Sequence, residues 1–185
     1  MITNIIEKIL EIFEYLLISV LIFLIVYVFI AQLVQVSGDS MNPTFNDKQQ
    51  LIAEKVSVVL GDLNYTDVVI FNSIEEDDIN NSHLLIKRII GLPGDKIKIE
   101  NGFVYLNDNR LQEDYLPDGV YTNLKPNNKI IEGEEYIIGE DSYFVMGDNR
   151  DESNDSRYFG TLHKNDILAK VVARYYPFED FKIFK

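Results

Sequence analysis

One serine of this chain lies in a turn-like segment where its hydroxyl could act as a nucleophile. Ser40 occurs in VSGDSMNPTF, between the flexible Gly38 and the rigid Pro43. Pro43 disfavours helical geometry at Asn42, so the segment favours a constrained, exposed turn. Such a turn can present a hydroxyl and a backbone N–H to a substrate carbonyl. Purely structural turns have the same spacing, and the motif alone leaves both interpretations open.

A lysine inside an apolar run could supply the base that such a serine needs. Lys87 occurs in LLIKRIIG, where strand alternation places it on the same face as Leu85 and Ile89. Burial disfavours an ammonium group and lowers its pKa from about 10.4, by up to roughly 3–5 units. A neutral lysine can then act as a general base without a histidine. The alternative is an edge-strand lysine whose amine extends into water.

A polar loop follows a hydrophobic strand in YFVMGDNRDESNDSRY, residues 143–158. The oxygen spacing of an EF-hand calcium loop is not matched. Its charged residues have both signs and can form a rigid network: Asp148, Arg150, Asp151, Asp155 and Arg157. Ser153 and Ser156 could then donate or accept hydrogen bonds with a lysine amine. A solvated turn is the alternative interpretation.

Short strands punctuated by turns must position these residues. Most of the predicted strands are rich in Val, Ile, Tyr and Phe. They are Gln50–Lys55, Asp67–Phe71, Leu84–Ile90, Lys96–Glu100, Phe103–Leu106, Glu135–Ile138, Tyr143–Met146 and Ile167–Tyr176. Asn101-Gly102 predicts a two-residue hairpin turn. A short helix is indicated around Lys55–Leu60. The polar segment Gln112–Gly133 is predicted to be a long surface loop. The pattern predicts a mainly β fold, an antiparallel barrel-like or sandwich-like domain.

The N-terminal segment differs from the rest because no residue from Tyr15 to Ser37 is charged. Leu16–Ala31 is almost purely apolar, and Leu33, Val34 and Val36 extend it. Roughly 20 apolar residues span a bilayer as a helix. A cleaved leader would be shorter with a basic start, so we expect a single retained transmembrane helix. The predicted division is an anchor over residues 1–36 and a catalytic domain over 37–185.

Composition excludes several classes of function. A net charge of −13 is inconsistent with nucleic-acid binding, which needs clustered Lys and Arg. The absence of cysteine removes disulfides, thiol catalysis and cysteine metal sites. Only two histidines occur, His83 and His163, which nearly excludes a multi-histidine zinc site. We therefore expect no metal and no cofactor.

Together these segments resemble bacterial type I signal peptidases, membrane-bound enzymes with a Ser/Lys dyad, in their small Gram-positive-like form. The order agrees: one apolar N-terminal segment, then SMNPT, DVVIF, KRIIGLPGD and GDNRDESNDSR. The resemblance implies that Ser40 is the nucleophile and Lys87 the general base. It further implies that Ser153 orients the lysine amine. The supporting shell that it implies consists of Asp155, Arg157, Arg88 and Asp148.

The resemblance also implies how a substrate is held. The Ser40 backbone N–H would stabilise the oxyanion, and Gly38 stands where some members have a second hydroxyl donor. Shallow pockets would accept small residues of the Ala-X-Ala type before the cut. The matching wall positions are all apolar: Val34, Val36, Met41, Phe45, Leu85 and Ile86. The family's second domain would be reduced to a β region at about 101–139.

The implied function is removal of N-terminal signal peptides from exported preproteins by a single-pass cell-membrane protein with an extracytoplasmic catalytic domain. Its expected partners are those signal peptides, membrane lipid and, by proximity, the secretion translocase. Flanking charges do not decide the orientation, because neither side of the apolar segment has an excess of Lys and Arg. A self-cleaving repressor-type peptidase would need a DNA-binding module. An anchored β domain that binds exported chains without cutting them remains the alternative.

Overall fold

The computed structural model describes residues 2–26, 31–73 and 83–184 of the 185-residue chain. The described helices are α1 (Ile2–Ile25), α2 (Val56–Leu60) and α3 (Ser156–Phe159). The described strands are β1 (Ala31–Gln35), β2 (Gln50–Glu54), β3 (Val68–Asn72), β4 (Leu84–Gly91), β5 (Lys96–Glu100), β6 (Phe103–Leu106), β7 (Asn109–Arg110), β8 (Tyr136–Ile137), β9 (Ser142–Met146), β10 (Leu162–His163), β11 (Ile167–Tyr176) and β12 (Lys182–Ile183).

The larger sheet follows the order β1-β2-β11-β3-β4-β9-β10, and β12 pairs with β11. Its described ladders are antiparallel. Side chains of β2 and β11 alternate between buried and half-buried, which is the pattern of strands with one face on a core. The predicted mainly β, antiparallel fold is confirmed by these two sheets and their pairing.

The smaller sheet has the order β7-β6-β5-β8. Strands β6, β7 and β8 lie within residues 101–139, and β5 lies just before them. Asn101 and Gly102 both have positive φ, 51° and 79°, as a two-residue turn between β5 and β6 requires. The predicted Asn-Gly hairpin is therefore confirmed. The boundaries of a separate domain at 101–139 stay a prediction.

The N-terminal region differs in part from the expectation. Helix α1 ends at Ile25, and Ala31–Gln35 forms β1, which pairs with β2 from Ala31↔Glu54 to Gln35↔Gln50. Leu33 and Val34, assigned from sequence to the apolar span, therefore belong to the sheet. Val34 and Val36 are buried in its core because they alternate with exposed neighbours.

The expected transmembrane helix is not confirmed. No helix within residues 2–26, 31–73 and 83–184 has both the length and the apolar character needed to cross a bilayer. Part of the predicted span, residues 27–30, lies outside the described residues.

Candidate active site

The segment around Ser40 forms a tight turn between β1 and β2. The Asn42 N–H donates to the Asp39 carbonyl at 3.0 Å, and the Phe45 N–H donates to the Met41 carbonyl at 2.8 Å. Met41 and Phe45 are 1% and 0% exposed, so their side chains fix the turn to the core. Ser40 itself is half-buried. The local sequence thus produces an anchored turn with its serine at the surface of the core.

Lys87 lies in β4, between β3 and the strand β9 that begins to pair one residue later. It is only 2% exposed. Its Nζ donates to Ser40 Oγ at 2.7 Å and to the Ile86 carbonyl at 3.0 Å. Two residues that are 47 positions apart in sequence are therefore in direct contact.

The surroundings of Lys87 favour the neutral amine. Burial lowers the pKa of Lys87 from 10.5 to about 8, and the charge of Arg157 acts in the same direction. The carboxylates of Asp155 and Asp148 oppose this by favouring the ammonium form. At pH 7 about one Lys87 in ten would be neutral, against roughly one in three thousand for an unperturbed lysine.

Arg88 and Asp148 form a buried two-point ion pair beside the lysine. Arg88 Nε donates to Asp148 Oδ1 at 2.8 Å, and Nη2 donates to Oδ2 at 2.6 Å. Arg88 also donates to Thr44 Oγ1 at 3.3 Å and to the Thr66 carbonyl at 2.8 Å. One guanidinium thus connects the turn of Ser40, the residues before β3 and the loop after β9.

Asp155 and Arg157 form the second buried ion pair. Asp155 accepts from Arg157 Nε at 2.9 Å, from Arg157 Nη2 at 2.9 Å and from the Gly147 N–H at 3.0 Å. Burial raises the pKa of Asp155, but the Arg157 guanidinium and the Gly147 N–H outweigh it and hold that pKa below its usual value. The carboxylate also accepts from the Arg157 N–H at the start of α3, so it ties the loop to that helix.

Ser153 does not make the hydrogen bond to Lys87 that the resemblance implies. Its Oγ is buried and has no hydrogen-bond partner among the described residues. It lies against Gly147, because a Cβ added to Gly147 would be 2.2 Å from Ser153 Oγ and 2.5 Å from the Ser40 carbonyl oxygen. Ser153 is therefore brought close to the backbone of Ser40.

Gly38 adopts a φ of +88°, in the left-handed region that favours glycine. Its N–H donates to Asp47 Oδ1 at 3.1 Å, and a Cβ added there would meet nothing within 4 Å. The hydrogen bonds that close the turn, from Asn42 and Phe45, do not use the Ser40 N–H.

Five of the six predicted wall residues share one core cluster. Val34, Val36, Met41, Phe45 and Ile86 pack together. Leu85 is half-buried and packs against a different cluster with Val69 and Ile89, because strand alternation turns it to the other face. Leu85 therefore packs in a different part of the core from the other five predicted wall residues.

A groove of about 430 Å³ lies between β1 and the start of β4. Residues 32–35 and Ser37 line one side, and residues 83–85 line the other, so Leu85 and Val34 face the same groove. Strand β9 pairs with β4 only from Arg88 onwards. Within the described strands, residues 84–87 therefore have a partner, β3, on one side alone, and their other edge can accept an extended peptide.

From sequence, Arg150 is expected in a network with aspartates of its own loop, but the structure pairs it with Glu113. Arg150 is 2% exposed, and its guanidinium contacts both carboxylate oxygens of Glu113 as well as Thr122 Oγ1. Arg150 Nε donates to the Gly147 carbonyl at 3.1 Å. No local pattern marks Glu113, because its partner is 37 positions away.

Metal ligands do not cluster in the described part of the chain, where no group of three or more His, Cys, Asp or Glu residues could hold an ion. The reactive groups that the structure brings together at this site are the Ser40 hydroxyl and the buried Lys87 amine.

Comparisons with known proteins identify the family of this chain. The family model described as signal peptidase, peptidase S26, matches residues 9–176. Signal peptidase IB of Staphylococcus aureus (strain COL) is 32% identical over an alignment of 184 residues, and the alignment covers 93% of each chain. A probable signal peptidase I-2 of Synechocystis sp. is 35% identical over 153 residues, covering 80% of this chain and 65% of that one.

A solved structure, that of a signal peptidase I from Enterococcus faecalis V583, is 28% identical and covers 58% of this chain and 95% of its own. Its TM-score of 0.43 is too low to support an argument about shared architecture. The family match and the curated relatives are sufficient without it, and this chain belongs to the signal peptidase family of serine peptidases, peptidase S26.

Proposed function

We propose that this protein is a serine endopeptidase that removes signal peptides from exported preproteins, with Ser40 as nucleophile and Lys87 as general base. One observation carries the proposal: the amine of a 2% exposed lysine lies 2.7 Å from the serine hydroxyl. Family membership supports the reaction class.

The first step begins when Lys87 loses a proton to solvent. The neutral amine then accepts the proton of the Ser40 hydroxyl across the same 2.7 Å contact, while Oγ attacks the scissile carbonyl carbon. The tetrahedral intermediate collapses as Lys87 returns the proton to the leaving nitrogen. The C–N bond breaks, an acyl ester forms on Ser40, and the mature chain leaves.

The second step releases the signal peptide. Lys87 removes a proton from water, whose oxygen attacks the ester carbonyl, and the C–O bond to Ser40 breaks as the proton returns to Oγ. Dividing the hydrolysis into two steps is the usual advantage of covalent catalysis. The Ser40 N–H, unused by the turn, is the proposed donor to the oxyanion, a kind of contact typically worth a factor of about 10²–10³.

The supporting residues act on this dyad through position and charge. Arg88 and Asp148 hold the Ser40 turn to the loop after β9, and Asp155 with Arg157 holds that loop to α3. We propose that the Ser153 hydroxyl orients the Lys87 amine during turnover, when the amine leaves its resting contacts.

Substrate selection is proposed to occur in the groove between β1 and β4. The residues before the cut would lie extended and add backbone hydrogen bonds to the free edge of residues 84–87. Of the predicted wall residues, Val34 and Leu85 line this groove, and their apolar side chains suit small alkyl groups, in agreement with an Ala-X-Ala preference.

The decisive experiment is cleavage of a precursor with an Ala-X-Ala site by purified parent, Ser40→Ala and Lys87→Arg proteins. We expect both variants to be inactive, because a guanidinium stays charged and cannot act as a base. Lys98→Arg, on the smaller sheet, is the matched control and should cleave like the parent. Activity retained in Lys87→Arg would refute the dyad, and activity retained in Ser40→Ala would favour the non-catalytic binding domain.

The rate should also depend on pH. Because burial lowers the pKa of Lys87 to about 8, kcat/KM should rise about tenfold per pH unit below that value and level off above it. A parent rate that stays flat between pH 5 and pH 10 contradicts a neutral-lysine mechanism.

The proposed function includes a location at the cell membrane. The apolar sequence of residues 16–31 supports membrane attachment. The resemblance to type I signal peptidases implies that the catalytic domain lies on the extracytoplasmic side, near lipid and the secretion translocase. Protease added to intact cells stripped of their wall should digest the 37–185 region. Protection of that region until the membrane is lysed would contradict this orientation.

A further inference from the structure

A second cleft, of about 520 Å³, lies on the other side of the loop that follows β9. Residues 125–128 form one wall, and residues 152–154 with Tyr158 form the other. It shares no lining residue with the groove between β1 and β4. Its volume is within the range of binding sites in proteins.

This cleft adjoins the nucleophile through Ser153, which lines it. Ser153 and the Ser40 carbonyl both lie against Gly147. Asn149, two residues after Gly147, donates from its backbone to the Ser40 carbonyl at 3.0 Å and from Nδ2 to the Asp39 carbonyl at 3.1 Å. Ser40 therefore stands between the first groove, which ends at Ser37, and the loop that carries the second cleft.

A peptide crossing Ser40 must continue beyond the scissile bond. If the residues before the cut occupy the first groove, an extended chain carries the following residues away from it, towards residues 147–153. We infer that the second cleft binds the first residues of the mature chain, after the cut. This inference rests on the proposed function and adds a specificity site to it.

Charged, amide and aromatic side chains line the cleft. Lys125 keeps its positive charge, but its Nζ is held at one wall by the Asp151 carbonyl, to which it donates at 2.6 Å. Glu152 is exposed and forms no ion pair within the described part of the chain, so its carboxylate is available. Tyr158 is 43% exposed and offers an aromatic surface. The cleft should therefore favour a lysine or arginine over a glutamate among the residues after the cut.

The test is a charge exchange between enzyme and substrate. Peptides with an Ala-X-Ala site carry a lysine or a glutamate at each of the first five positions after the cut. We expect the parent to prefer lysine by about two- to fivefold in kcat/KM at one or two adjacent positions, as for an exposed ion pair. Glu152→Lys should invert that preference at the same positions.

Glu140→Lys is the matched control, because Glu140 is exposed and precedes the opposite end of β9. It changes the net charge equally and should keep the preference of the parent. Tyr158→Ala should reduce the advantage of peptides extended beyond the cut over peptides that end one residue after it.

The inference is overturned if Glu152→Lys leaves the lysine-to-glutamate ratio unchanged at all five positions, or if Glu140→Lys changes it equally. A parent enzyme that cleaves every peptide at the same rate also overturns it, while leaving the proposed function intact. A parent enzyme that cleaves none of them overturns the proposed function itself.

Discussion

Replacing Lys87 with methionine should abolish activity and make the protein's stability less dependent on pH. Methionine keeps an unbranched stem of similar length but has no amine. Catalysis should fall by at least about 10²–10⁴-fold, the usual contribution of a general base. The same substitution removes a group that is unfavourable to bury while charged, so function and stability should change in opposite directions.

The magnitude follows from the pKa of Lys87. Because its pKa is about 8 in the folded protein and 10.5 when exposed, the unfolded chain binds more protons between these values. Below pH 8 the folded parent therefore carries the full cost of the buried ammonium, about 3 kcal/mol. That cost declines as the pH rises from 8 to 10.5 and is absent above it.

The assay is urea unfolding of parent and Lys87→Met at pH 7 and at pH 11, in the same detergent. The difference in free energy of unfolding between the two proteins should shift by about 3 kcal/mol between these pH values, with the methionine variant relatively more stable at pH 7. Lost hydrogen bonds to Ser40 and Ile86 affect the variant at both pH values, so the pH-dependent part isolates the ionisation of the lysine.

Ser40→Ala is the control, because it removes the same hydrogen bond but keeps the amine. Its stability relative to the parent should change little between pH 7 and pH 11. A Lys87→Met difference that stays constant within about 1 kcal/mol across this range would refute the lowered pKa, and with it the reason for assigning the base to Lys87.

Two further substitutions test the framework around the dyad. Gly147→Ala places a Cβ 2.5 Å from the Ser40 carbonyl and should lower kcat about 100-fold by displacing the nucleophile, whereas Gly139→Ala meets only ordinary contacts and should cleave like the parent. Glu113→Gln leaves the buried Arg150 without a carboxylate and should lower the free energy of unfolding by about 3–5 kcal/mol in urea denaturation, and an unchanged value would show that this pair does not support the loop.

Strand positions were largely predictable from sequence, because alternation and turn residues are local signals. Lys96–Glu100, Phe103–Leu106 and Ile167–Tyr176 were predicted with the bounds that the structure has. The Asn101-Gly102 turn was predictable because few residues adopt positive φ at two consecutive positions. Strand β1 was missed because its side chains continue an apolar run, and periodicity cannot distinguish a buried strand from the end of an apolar helix.

The candidate site was predictable in its members but only partly in its contacts. Resemblance brought Ser40 and Lys87 together, and the structure places them 2.7 Å apart. It also implied a hydrogen bond between Ser153 and the lysine that the structure does not have. A hydroxyl rotates about one bond and an amine about four, so the resting hydrogen bonds of such groups depend on small displacements that a motif does not encode.

The long surface loop Gln112–Gly133 shows why the remaining contacts could not be predicted from sequence. Its residues support the loop after β9 from outside: the Lys129 N–H donates to the Arg157 carbonyl at 2.7 Å, and Arg157 Nη1 donates to the Asn123 carbonyl at 3.2 Å. Arg150 reaches Glu113 in the same segment. Most of these hydrogen bonds have backbone carbonyls as acceptors. Because every residue has such a carbonyl, no residue type indicates these bonds in the sequence. The sequence of this segment predicts a solvated loop. In the structure it supports the loop that carries Ser153 and Asp155. Shortening it should impair catalysis even though it contains none of the reacting groups.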